Sequence, residues 1–155
     1  MTNQQPSASA DITIAAAPAA VYALITDLDV LAELAAETTS MRWTKGDAAR
    51  PGAKFKGRNS NDGKSWTTTC TVTVADPGTA FEFEVTSLII PIARWRYDVE
   101  PVDGGCRVTE STWDRRPGWF APIGAKATGV ADRDTANRAH IESTLANLKA
   151  RAEQS

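Results

Sequence analysis

The sequence predicts an α+β fold: a curved antiparallel sheet of about seven strands wrapped around one long C-terminal helix, with two short helices after the first strand. A short alternating strand runs straight into helical sequence. Six further segments alternate apolar and polar residues and are separated by turns. The chain then closes on a long stretch with apolar residues at helical spacing. A sheet curled around a single helix encloses space between the two, so this order of elements implies a pocket.

The first strand is read at Asp11–Ala15, where Asp-Ile-Thr-Ile-Ala alternates. Pro18 suits the first position of a helix, where a missing N–H costs nothing. Ala19–Ile25 continues that helix with Val21, Leu24 and Ile25 as its apolar stripe. Asp27 or Asp29 is placed to cap a second helix over Val30–Ala36. A strand over Thr38–Thr44 follows, with Met41 and Trp43 on one face, and Arg50-Pro51-Gly52 turns the chain.

Lys54–Asn59 puts Phe55, Gly57 and Asn59 on one face and Lys54, Lys56 and Arg58 on the other. Asn61-Asp62-Gly63-Lys64 is a hairpin turn. In Ser65–Val74, Trp66, Thr68, Cys70, Val72 and Val74 share a face, opposite Thr67, Thr69, Thr71 and Thr73. Such a run suits a sheet with one wet and one buried face. After Asp76-Pro77-Gly78, Phe81, Phe83 and Val85 point in while Glu82 and Glu84 point out. Ala93–Glu100 places Trp95, Tyr97 and Val99 inward. Arg94 and Arg96 then stand where they can pair across strands with Glu82 and Glu84. Asp103-Gly104-Gly105 closes the last hairpin, and Cys106, Val108, Glu110 and Thr112 continue one face.

Trp119–Ala127 is apolar but holds Pro122 and Gly124, so it reads as an irregular or short helical entry. The long helix is read from Val130, with Asn137, Ile141, Leu145, Leu148 and Ala152 on its stripe. Asp134 lies unusually near that stripe for a charged residue, fitting either the cavity mouth or a helix cap.

Composition narrows the class. A chain of 155 residues fits one domain. At that size it buries roughly 68–70% of its unfolded surface and needs no staples. Residues 1–10 are expected to be a disordered tail, with residues 11–153 forming the domain. The polar start MTNQQPSASAD has no apolar core of a signal peptide. A net charge of −2 gives no basic footprint for nucleic acid or an anionic membrane, and no apolar run suits a membrane span. Cys70 and Cys106 read as reduced, buried thiols of a cytoplasmic protein.

The opening strand with Ala17-Pro18-Ala19-Ala20-Val21-Tyr22 resembles the start of the polyketide cyclase/dehydrase and lipid-transport superfamily. That group is also called SRPBCC, START-like or Bet v 1-like. Asp27-Leu28-Asp29 fits the same pattern, as do Trp95-Arg96-Tyr97-Asp98-Val99-Glu100-Pro101 and Gly105-Cys106-Arg107-Val108-Thr109-Glu110 before a C-terminal helix. The resemblance runs from about Asp11 to Ala152 and is greatest to small actinobacterial members. It implies a helix-grip fold and polyketide-, lipid- or sterol-like ligands. The superfamily has no shared catalytic motif to carry over, so function must come from the site.

In such a fold the inward aromatics either fill the core or line a cavity. Trp43, Phe55, Trp66, Phe83, Trp95 and Tyr97 are candidates for touching a ligand, with Ile141 from the long helix. Inward polar residues need partners in protein, water or ligand, which singles out Asn59, Thr68, Glu110 and Asn137. Glu110 is the sharpest. In an apolar cavity its pKa rises and it suits general acid or base work. The alternatives are a strand irregularity that turns it to solvent, or a structural salt bridge to Arg42 or Arg58.

His140 is the sole histidine, so no metal site with two histidines is possible and no metal is expected. It lies about 100° from the centre of the stripe, as a flanking, partly exposed residue or as a catalytic partner of Glu110. Trp113–Trp119 sets Arg115 and Arg116 between aromatics. It reads as a gate, an anion holder or a solvated loop with arginines stacked on tryptophans. No phosphate loop or dinucleotide fingerprint is present, and no cofactor is expected.

The leading expectation is a binder of one small hydrophobic or aromatic molecule. The rivals are a cyclase or dehydratase acting through Glu110 with Asn59 or His140, and a protein-interaction module with a filled interior. The sequence leaves open whether the chain forms a homodimer.

Overall fold

The computed structural model describes residues 5–154, so part of the expected tail lies outside the described residues. The elements run β1 (Ala8–Ile14), α1 (Pro18–Ile25), α2 (Leu28–Leu34), β2 (Thr38–Lys45), β3 (Lys54–Asn61), β4 (Lys64–Asp76), β5 (Ala80–Ser87), β6 (Ile90–Val102), β7 (Gly105–Asp114), α3 (Ala121–Thr128) and α4 (Arg133–Glu153). Among the described residues the seven strands form one antiparallel sheet in the order β1-β7-β6-β5-β4-β3-β2. The α1–α2 segment therefore carries the chain from one sheet edge to the other, and α4 returns to pack on β1.

The first strand begins at Ala8, earlier than Asp11. Ala8, Ser9 and Ala10 pair with Thr112, Ser111 and Glu110. Their small side chains lack strand-forming character, but pairing with β7 overrides composition. Ser9 and Ser111 share a side-chain hydrogen bond of 2.9 Å.

Helix α2 also starts and stops earlier than expected. Asp27, not Asp29, is its cap and accepts from the backbone N–H of Asp29 and Val30. The helix then ends at Leu34 because Ala35 is already extended. Strand β4 carries a bulge. Val72 faces Phe83, yet Val74 faces the outward residue Glu82, and Ala75 takes the inward place opposite Phe81. Val74 thus leaves the face that simple alternation assigns to it, because a bulge inserts one residue and reverses the facing of the residues after it.

Across β5 and β6, Glu82 pairs with Arg96 as expected, at 3.3 Å. Arg94 does not bond its opposite number, Glu84. It lies 3.8 Å from Glu82 and its guanidinium sits 4.3 Å from the Trp113 ring centre, while Glu84 takes Arg115 at 3.1 Å. Helix α4 begins at Arg133, where Asp132 accepts from the Thr135 N–H and hydroxyl. Val130 precedes the helix, and Asp134 stands exposed in its first turn rather than on the inner stripe.

The core lies between the sheet and the C-terminal half of α4. Ile141, Leu145 and Leu148 are sealed there. Lys149 donates to the Thr13 carbonyl at 2.9 Å, the Ala15 N–H donates to Glu153 at 2.8 Å, and Asn147 donates to the Leu34 carbonyl at 3.1 Å. Phe55 is fully buried, edge-on to both Trp43 and Phe83. Cys70 and Cys106 are free and buried, and burial pushes the Cys70 thiol up to about 12.

β1 and β7 approach closely at Gly105, where a Cβ would collide with the Ile14 carbonyl oxygen. That obstacle is backbone of the neighbouring strand and cannot rotate away. Gly105→Ala is expected to cost about 1–3 kcal/mol. The thermal midpoint should fall by roughly 3–10 °C. An unchanged midpoint would contradict the close approach.

Candidate functional site

A cavity of about 230 Å³ lies between the inward face of the sheet and the N-terminal half of α4. Trp66, Phe83, Trp95 and Tyr97 form its sheet wall. Asn137, His140 and Thr144 face it from α4, and Phe120 and Gly124 from α3 and its approach. The cavity follows from the sequence of α4. The helix presents an apolar stripe to the sheet only from Ile141 onward; before that the facing positions are Arg133, Asn137 and His140, which cannot fill an apolar interior.

Of the residues singled out from sequence, the cavity brings together Asn59, Trp66, Thr68, Phe83, Trp95, Tyr97, Glu110, Asn137 and His140. Trp43, Phe55 and Ile141 are not among its lining residues. Phe55 packs behind the wall, with Trp43 on its far side and Phe83 on its near side. Ile141 belongs to the sealed half of α4.

Glu110 stands on β7 directly opposite Tyr97 on β6 and Ala10 on β1, and it is 3% exposed. No bulge turns it to solvent. Nor does it meet Arg42 or Arg58, which share a pocket on the outer face with Lys56 and Thr67. Burial pushes its carboxyl up to about 8, and hydrogen bonding with the Tyr97 hydroxyl draws it partly back. The Tyr97 phenol is in turn pushed well above its usual range, first by burial and then by the adjacent carboxyl. Glu110 Oε1 has no hydrogen-bond partner. Leaving a buried polar atom without a partner costs about 1–3 kcal/mol.

Two of the other polar candidates, Asn59 and Thr68, are already engaged with each other, while Asn137 faces the cavity from α4. Thr38 donates to Asn59 Oδ1 at 3.1 Å, and Asn59 Nδ2 donates to the Thr68 hydroxyl at 3.3 Å. This short chain orients the β3–β4 wall and leaves Asn59 little capacity for acid–base work. His140 is half-buried, with Nδ1 3.7 Å from Glu37 Oε1.

Sequence reasoning missed a charged rim. Arg133 donates to Glu37 Oε1 at 2.6 Å, and Arg116 grips Asp114 through Nε and Nη2 at 3.0 and 2.8 Å. All four residues line the cavity. Burial alone would raise the Asp114 carboxyl, but hydrogen bonds and charge from Arg116 outweigh it and hold it below its usual range. The Trp113–Trp119 loop was the visible signal for Arg116. It is clamped by Asp114, while the arginine stacked on Trp113 is Arg94 from β6. Nothing in the local pattern marked Glu37, whose partner lies on α4, distant in sequence.

A single antiparallel sheet gripping one long helix around a cavity defines a helix-grip protein. The chain belongs to the family described as polyketide cyclase/dehydrase and lipid transport, whose model matches residues 5–153. No curated protein matches it in sequence.

Among solved structures, it is 29% identical to the Polyketide_cyc-like protein Cgl2372 from Corynebacterium glutamicum, with a TM-score of 0.62 over 94% of this chain and 90% of that one. It is 19% identical to the di-domain ARO/CYC StfQ from the steffimycin biosynthetic pathway, with a TM-score of 0.72 over 94% of this chain. The chain spans 50% of that protein's length. It is 18% identical to Ara h 8.0201, with a TM-score of 0.66 over 95% of this chain and 97% of that one. The likeness to StfQ and Ara h 8.0201 shows the fold.

The raised carboxyl makes stability depend on pH. The folded state holds the Glu110 proton more tightly than the unfolded chain, whose carboxyl keeps its ordinary value of 4.5. The stability this confers is complete below that value and is lost as pH rises toward about 8. Glu110→Gln cannot titrate. Relative to wild type it should gain about 1.4 kcal/mol per pH unit across that window. Urea unfolding of both proteins near pH 5 and pH 8 measures this, and parallel pH profiles would contradict it.

Proposed function

We propose that the protein binds one small, largely apolar molecule bearing a hydrogen-bond acceptor, and that Glu110 is its polar anchor. The observation that carries this reading is the unpartnered Oε1 of a fully buried carboxyl lining an otherwise apolar and aromatic cavity. A carboxyl with a pKa of about 8 is mostly protonated at neutral pH, so it donates a hydrogen bond rather than presenting a charge.

Volume narrows the ligand further. A dry cavity of about 150 Å³ holds one benzene, so about 230 Å³ suits a molecule of one or two rings. A sterol or a long lipid would require the walls to part. Trp66, Phe83 and Trp95 supply flat apolar surface, worth about 25 cal/mol per Å² of ligand area removed from water. The third class weighed from sequence, an interaction module, calls for a filled interior, and this cavity argues against it.

The same carboxyl supports a second reading, a cyclase or dehydratase. A proton held near pH 8 beside a phenol is poised for transfer to a carbonyl or a departing hydroxyl during aldol closure or water loss. The family includes polyketide cyclases in its description, which favours this chemistry over other kinds. On this reading Glu110→Gln removes turnover of a polyketide-like substrate and leaves binding nearly intact.

Calorimetric titration with two bicyclic probes of similar shape, 1-tetralone and naphthalene, tests the anchor. Glu110→Met keeps length and loses the donor. It should weaken the ketone about tenfold and change naphthalene by less than about twofold. Equal losses for both probes, or no binding of either by wild type, would remove Glu110 as the anchor.

A further inference from the structure

All the large apolar side chains that stand exposed among the described residues flank the cavity. Leu88 is 90% exposed, Ile89 92%, Trp119 63% and Ile123 53%. Leu88 and Ile89 form the two-residue turn beyond the paired Ser87 and Ile90, and Ser87 and Ile92 line the cavity just below. Trp119 and Ile123 border Phe120 and Gly124, which line it from α3 and its approach. The Arg115 N–H donates to the Ile92 carbonyl at 3.0 Å, tying the two segments together.

The turn is unusual for one that faces water. Two-residue hairpin turns favour Gly, Asn or Asp, because they need left-handed backbone. Leu88 adopts that conformation, with φ of 57°, and so carries strain that glycine would not. An exposed Leu-Ile tip on strained backbone gains nothing in water and is a liability there.

The charge beside it is weakly basic. Arg115 pairs with Glu84 at 3.1 Å and Arg116 with Asp114 at 2.8 Å, which leaves Lys126 as the uncompensated cation between Arg115 and Val130 among the described residues. Lys64 also lies against Gly129 at the far end of α3.

We propose that Leu88, Ile89, Trp119 and Ile123 dock on a lipid bilayer carrying anionic headgroups, setting the cavity against the membrane surface. Four exposed apolar side chains on a hairpin tip and beside a short helix are few against the roughly 20–30 residues a side of a standard protein interface. Wedges of this kind suit the acyl boundary, tryptophan suits the interfacial layer, and the basic residues suit anionic headgroups. No helix among the described residues is long and apolar enough to cross a membrane, so the contact is peripheral. The proposal stands independently of the role of Glu110.

Sedimentation of the full chain with phosphatidylcholine vesicles, with and without phosphatidylglycerol, tests it at low salt. Wild type should sediment with the mixed vesicles. L88S/I89S and W119S/I123S should each weaken that binding by about tenfold or more, with melting temperatures near wild type. Absence of binding by wild type to mixed vesicles, or binding as strong as wild type by both double variants, would overturn the proposal. So would a dimer that L88S/I89S disperses in a protein that ignores vesicles, which would assign the surface to a second copy of the chain.

Discussion

The sheet can bury one face, and one helix must cover it; the rest of the structure depends on how α4 does so. Its C-terminal half presents Ile141, Leu145, Leu148 and Ala152 at alternating spacings of four and three residues. That stripe seals the sheet against β1 and is held by Lys149, Glu153 and Asn147. Before Ile141 the helix presents Arg133, Asn137 and His140 at the same spacing. These side chains are too polar to replace a core, and they stand off from the aromatic wall. The cavity is the space left where the helix changes chemistry partway along.

Glu110 sits in that space at the register point where β1, β6 and β7 all run past it. Three adjacent strands exclude water from the carboxyl. Among the described residues its titratable hydrogen-bonding neighbour is a phenol, that of Tyr97. Burial therefore wins over pairing and favours the neutral form. The charged rim behaves in the opposite way. Arg116 with Asp114, and Arg133 with Glu37, pair each cation with a carboxylate in a half-buried setting. One end of the cavity thus offers a neutral donor, and the other a set of neutralised ion pairs. A ligand with an apolar body and one acceptor matches the first end without disturbing the second.

The architecture was legible because local signals and tertiary structure agree. Hairpin turns such as Asn61-Asp62-Gly63-Lys64 mark strand ends, and alternation from Lys54 onward fixes which face is inward. Period-two counting from Cys106 put Glu110 on the inward face, and the unbroken register of β7 with β6 keeps it there. The misses came from contacts that no window of sequence contains. Ala8–Ala10 became strand through pairing with β7, and Val74 turned outward through a bulge set by the β5 register. Phe55 and Ile141 carry the right chemistry for a cavity wall, but depth decides whether an inward residue meets a ligand or lies behind one that does. Glu37 and Arg133 lie far apart in the chain, and their pairing exists only once α4 has closed over α2 and β2.

Both functional readings rest on a carboxyl that stays protonated inside the folded protein at neutral pH. Carbon-detected NMR titration of protein labelled at glutamate side chains reads this directly, with Glu110→Gln assigning the resonance. The expected midpoint for Glu110 is near 8. A midpoint near the ordinary value of 4.5 would mean that the carboxyl is solvated or ionically paired, and would contradict both readings.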